Sequence, residues 1–151
     1  MAKFKFRLEQ LLNIKIQRED LIKIKLATEL KRLDIENEKL NLLVEENQKQ
    51  ISNYKTLLSC GTPISKIKEY NSYIFKLERK IEAQKLNINV IVKNVDKIRS
   101  ELIKMSQERK MLEKLKINKL VAFEKEMLKE EQKMVDEIVS YRQNLNLVGE
   151  G

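Results

Sequence analysis

The sequence predicts an all-α fold: a long antiparallel two-helix coiled-coil hairpin with an overhanging C-terminal helix. Three observations predict it. Helix breakers are scarce, with only three glycines and one proline in 151 residues. The breakers inside the body of the chain fall together, at Gly61 and Pro63. On either side of them apolar residues recur at alternating steps of three and four, the signature of helices that pack through a heptad seam.

The elements follow in chain order as one hairpin over residues 1–151. A first helix is expected over about 6–58, a turn over 59–64 and a second helix over about 65–145. Gly and Pro end helices, and Thr62 or Ser65 can cap the helix that follows. In the first helix Leu30, Val44, Ile51 and Leu58 take the a positions, and Leu26, Leu33, Leu40 and Tyr54 the d positions. Asn37 and Asn47 interrupt that stripe. In the second helix the a positions are Ile67, Ile74, Ile81, Ile88, Val95 and Leu102. The d positions are Tyr70, Leu77, Ile91, Ile98 and Met105, interrupted by Gln84. Neither segment alternates every second residue as a strand would.

Folding the two stripes together about the Cys60–Gly61 step sets Leu26 against Val95, Leu30 against Ile91, Leu40 against Ile81 and Val44 against Leu77. It also sets Asn37 opposite Gln84, so two polar interruptions are expected to share one register-setting layer. A buried polar pair commonly fixes register at some cost in stability. The arms are unequal. From about Leu120 onward the second helix has no partner in this register, yet it keeps an apolar stripe of Phe123, Met127, Met134, Ile138, Tyr141 and Leu145. A bare stripe of this kind marks a binding surface or a dimer seam.

Charge varies along the same axis within a net charge of +8. Lys3, Lys5 and Arg7 are expected beside Arg109, Lys110, Lys114, Lys116 and Lys119, a basic collar where the first helix begins. The overhang then turns acidic, with Glu124, Glu126, Glu130, Glu131, Asp136 and Glu137 against Lys125, Lys129 and Lys133. Such an end suits insertion into a protein socket.

Enzymatic chemistry finds no support. The chain has no histidine, no glycine-rich phosphate loop and no GxSxG or CxxC spacing. A carboxylate such as Glu9 or Glu113 needs a desolvated pocket to serve as a general acid, and two paired helices offer none. No metal or other cofactor is expected. The single cysteine, Cys60, fits a reducing compartment. No apolar run approaches the length of a membrane span, and the start of the chain lacks the pattern of a signal peptide. A cytoplasmic protein that reaches a membrane only through a partner is therefore expected, with no direct insertion. Basic residues occur throughout, but no nucleic-acid-reading motif accompanies them, so nucleic acid is not an expected partner.

Three stretches carry a family likeness. They are Phe4-Lys5-Phe6-Arg7-Leu8-Glu9-Gln10-Leu11-Leu12, then Glu69-Tyr70-Asn71-Ser72-Tyr73-Ile74 with Leu77-Glu78 and Ile81-Glu82, and finally Leu112-Glu113-Lys114-Leu115-Lys116 followed by Glu130-Glu131-Gln132-Lys133-Met134-Val135-Asp136-Glu137. Over nearly its whole length the chain resembles the bacterial flagellar FliJ family. The resemblance implies a non-enzymatic component of the flagellar type III protein export apparatus, held peripherally at the inner face of the cell membrane. It implies a stalk that binds the hexameric flagellar export ATPase, couples it to the membrane-embedded export gate and handles export chaperones. On this reading Lys3, Arg7, Lys116, Lys119, Phe123, Met127 and Met134 contact the ATPase, and Tyr73, Leu77 and Gln84 match the family's gate-contacting positions. Two alternatives stand beside it: a self-associating structural coiled coil, and a stalk protein of an injectisome.

Overall fold

The computed structural model describes residues 2–149. The fold is all-α, and two long helices pack against each other: α1 over Glu9–Ser59 and α2 over Ile64–Gly149. By contact the chain divides into two units. One comprises Glu19–Lys104, and the other comprises Met1–Arg18 with Met105–Gly151.

The Glu19–Lys104 unit contains the turn. Gly61 adopts φ 69°, the left-handed conformation that closes a helix and that a Cβ disfavours. The Cys60 amide donates to the Leu57 carbonyl at 3.2 Å, and the Thr62 hydroxyl donates to the same carbonyl at 2.7 Å. Thr62 therefore seals the end of α1 instead of capping α2. The first bonds of α2 run from the amides of Lys66 and Ile67 to the Pro63 carbonyl, at 3.1 and 3.4 Å. Proline can stand there because the position before a helix's first turn requires no amide donor.

The heptad seam forms the core of this unit. Leu77, Ile81, Ile91, Val95 and Ile98 of α2 are each less than 9% exposed. The remaining predicted seam positions of α2, from Ile67 to Leu102, are half-buried. Facing them, Leu26, Leu30, Leu33, Leu40, Val44, Ile51 and Tyr54 of α1 are half-buried as well. The layers of α1 therefore keep a partly exposed flank.

Two seam positions differ from the sequence reading. Asn37 is exposed, and Glu36 turns inward in its place. The side-chain amide of Gln84 donates to the Glu36 carbonyl at 2.9 Å and to its carboxylate at 2.6 Å. The polar layer is thus Glu36 with Gln84, because a longer acidic side chain one position earlier reaches the amide that Asn37 points away from. Near the turn, Leu57 is half-buried and Leu58 is 50% exposed, since α1 closes at its cap there. At the other end of the unit, Glu19 is only 3% exposed, with the Lys23 ammonium at 3.3 Å.

In the second unit α1 begins at Glu9, later than the heptad pattern predicts. The Glu9 amide donates to the Phe6 carbonyl at 3.2 Å, and residues before it leave the helix. An acidic first turn suits the helix's positive end. Among the described residues of this unit, Leu12 is the buried apolar anchor at 4% exposure. Around it lie the cross-helix ion pairs Lys15–Glu108 at 2.7 Å and Lys116–Glu9 at 2.8 Å. From Leu128 to Gly149 every residue of α2 is exposed.

Candidate protein-docking site

The site lies in the unit made by the two chain ends. Its least expected part is the segment before α1. Lys3-Phe4-Lys5-Phe6-Arg7 alternates charged and aromatic residues, a period of two that belongs to extended backbone. Accordingly, Phe4 and Phe6 are half-buried while Lys3, Lys5 and Arg7 are exposed. The Phe4 ring meets Phe123 of α2 with centroids 5.6 Å apart and planes tilted by 52°, an arrangement that aromatic quadrupoles favour.

The extended segment and α2 enclose a groove of about 900 Å³. Phe4, Phe6, Leu8, Leu115 and Phe123 supply its apolar lining, and Lys3, Lys5, Arg7 and Lys119 supply positive charge against Glu126. A second cavity of about 520 Å³ shares Phe4, Lys5, Phe6 and Arg7 and adds Glu9, Gln10 and Lys116. Four of the residues expected to contact an ATPase therefore meet in one groove: Lys3, Arg7, Lys119 and Phe123. Lys116 is turned to the adjoining cavity and paired with Glu9. Met127 is half-buried, and Met134 lies farther along the exposed stretch at 63% exposure. Phe4, Phe6, Leu8 and Leu115 are absent from the sequence-derived set, and the period-two alternation was the signal for the first two.

The residues matched to gate contacts lie in the other unit, and only one of them presents a surface. Tyr73 is 43% exposed, and its hydroxyl lies 3.5 Å from the Glu46 carboxylate. Leu77 is buried at 4% exposure, and Gln84 is held by Glu36. Both occupy the seam, where the heptad register has them. A small cavity of about 200 Å³ beside Tyr73 is lined by Gln50, Glu69 and Tyr70.

Elsewhere the site chemistry is plain. Among the described residues no group of three or more His, Cys, Asp or Glu is arranged to hold a metal ion. No helix among them is long and apolar enough to cross a membrane. The Glu36 carboxyl is displaced from its ordinary titration range. The Gln84 hydrogen bond, followed by that from Lys39, holds it below its ordinary range. The arrangement is that of a recognition surface: apolar anchors inside a rim of cations.

Neither a curated protein nor a solved structure matches the chain. The family described as the flagellar FliJ protein matches residues 4–146, which includes the groove lining from Phe4 onward, the turn and most of the exposed end of α2. The chain belongs to the flagellar FliJ family and is a component of the flagellar export apparatus.

Proposed function

We propose that the protein is the stalk that engages the hexameric flagellar export ATPase through the groove at its chain ends. The observation that carries this reading is the convergence of Lys3, Arg7 and Lys119 around the Phe4–Phe123 contact. Aromatic anchors desolvate well, and cations at a rim steer an acidic counterpart into register. Lys116, Met127 and Met134 extend the same contact along α2 into the ring. The exposed Tyr73 then faces the membrane-embedded export gate from the other unit, and export chaperones use the remaining apolar surface of α2. The protein acts in the cytoplasm at the inner face of the membrane, through these partners.

The test is a pull-down of the export ATPase by the full-length chain carrying Arg7→Glu and Lys119→Glu. Both side chains are exposed, so helicity by circular dichroism should be unchanged while ATPase capture falls. Undiminished capture by this variant, and by Phe4→Ala, overturns the reading. The cognate ATPase of the flagellar system, compared with that of an injectisome, decides between the two kinds of export stalk.

A further inference from the structure

A second apolar column runs along α1 outside the seam. Leu21, Ile35 and Leu42 recur at multiples of seven residues, with Thr28 at the one vacant step, and they are 65%, 46% and 65% exposed. Ile24, 63% exposed, widens the column. One flank repeats at the same interval as Lys25, Arg32 and Lys39. Arg32 and Lys39 each approach a carboxylate of their own helix, Glu29 at 3.9 Å and Glu36 at 3.1 Å, yet their side chains stay 55% and 60% exposed.

The period identifies the kind of partner. A seven-residue column drifts around a straight helix by about 20° per heptad, so a flat lipid surface meets only a short part of it. Another helix wound alongside stays in contact throughout. The basic flank calls for an acidic edge on that helix. This chain carries such a helix. In the exposed end of α2, Met134, Ile138, Tyr141, Leu145 and Val148 are 63%, 53%, 65%, 52% and 79% exposed, and Glu130 and Glu137 border them. The stretches Leu21 to Leu42 and Met127 to Val148 match in length, about 32 Å each at the helical rise.

We infer that the C-terminal segment 127–148 of one copy docks along the outer face of α1 of a second copy, between Leu21 and Leu42. Glu130 and Glu137 then face the Lys25–Arg32–Lys39 column. Each copy carries both halves of the contact, so the association is reciprocal in a pair or continues head to tail. It covers two stripes that the hairpin leaves largely exposed, it does not rest on the ATPase reading, and because it occupies Met127 and Met134 it belongs to the chain free of the ATPase.

Sedimentation velocity of the full-length chain, without other proteins, tests it. Association should rise with protein concentration. Lys25→Glu with Arg32→Glu and Lys39→Glu should weaken it about tenfold, the size expected of three rim charges. Mixing that variant with one carrying Glu130→Lys and Glu137→Lys should restore association that neither shows alone. Leu21→Ser with Leu42→Ser should weaken it about a hundredfold or more while helicity is unchanged. A chain that stays monomeric at the highest concentration overturns the inference. So does association that responds to Met134→Ser and Ile138→Ser but not to the α1 variants, which would mean that the C-terminal segments pair with each other. Binding to anionic phospholipid vesicles through Leu21 and Leu42, without self-association, overturns it in favour of a lipid surface.

Discussion

The side-chain amide of Gln84 bridges two oxygens of Glu36, its carbonyl at 2.9 Å and its carboxylate at 2.6 Å. In this layer both helices contribute a polar side chain, and the two are hydrogen-bonded to each other. The bond is charge-assisted, and Asn87 adds a longer one to the same carboxylate at 3.3 Å. Its partners lie on different helices, so it rewards one register over its neighbours.

That relationship sets a pH dependence. The Glu36 carboxyl is held below its ordinary value near 4.5, first by Gln84 and then by Lys39. A carboxylate with a lowered native pKa stabilises the fold above its unfolded value, and that contribution fades as the pH falls through the native value. Urea denaturation should therefore show stability lost in the acid range just below the ordinary carboxylate value. In Gln84→Leu the loss over that window should be smaller. An unchanged acid profile would remove Gln84 as its cause.

Leu77→Ala should cost about 2–4 kcal/mol, the usual penalty for truncating a well-buried leucine. Tyr73→Ala should cost little, because its ring is 43% exposed. Measured side by side, the two separate stability from recognition. If Tyr73→Ala keeps the melting temperature and weakens export-gate binding, the gate surface runs through Tyr73.

Gly61→Ala should destabilise the protein by about 1–2 kcal/mol, the cost of a Cβ in left-handed backbone. No heavy atom lies within 4 Å of the added carbon, so the cost is conformational and not steric. Gly149→Ala, with equally open space in a helix, is the control and should not destabilise. Equal effects in chemical denaturation would contradict the role of the turn.

The Phe4–Phe123 contact should show a coupling of about 0.5–1.5 kcal/mol in a double-mutant cycle with alanine at each position. Coupling near zero would mean that the extended segment does not hold its place against α2 in solution.

Lys116→Gln should change stability by less than about 0.5 kcal/mol, since its pair with Glu9 is partly exposed and screened by salt. The same substitution should weaken ATPase capture if the cation serves recognition. A large stability loss with unchanged capture would assign Lys116 to structure alone.

The seam of α2 was legible because its period from Ile67 to Leu102 is interrupted at Gln84 alone, and burial follows that list position by position. The seam of α1 was legible only where its layers are apolar. At 36 and 37 two polar residues are adjacent, and periodicity cannot choose between them; the reach of the Glu36 side chain to Gln84 does. Glu19 was missed for the same reason, as a carboxylate in a heptad position reads as surface until its burial is seen. The groove was half legible. Charge clustering pointed to Lys3, Arg7 and Lys119, but the expected first helix took in Phe6, whose alternation with Phe4 belongs to chain outside the helix. The seam placement of Leu77 and Gln84 was legible from the heptad register, whereas a family likeness aligns positions and says nothing of which way a side chain faces.

The open flank along α1 bears on how the protein will behave outside its complex. Layers wetted on one side contribute less per residue than those of a sealed interior, so the free chain should melt at modest temperature and over a broad range. Any ligand that covers those layers binds the folded form alone and raises the midpoint by mass action. The thermal shift on adding a candidate partner therefore serves as a direct affinity readout for this molecule, and needs no label.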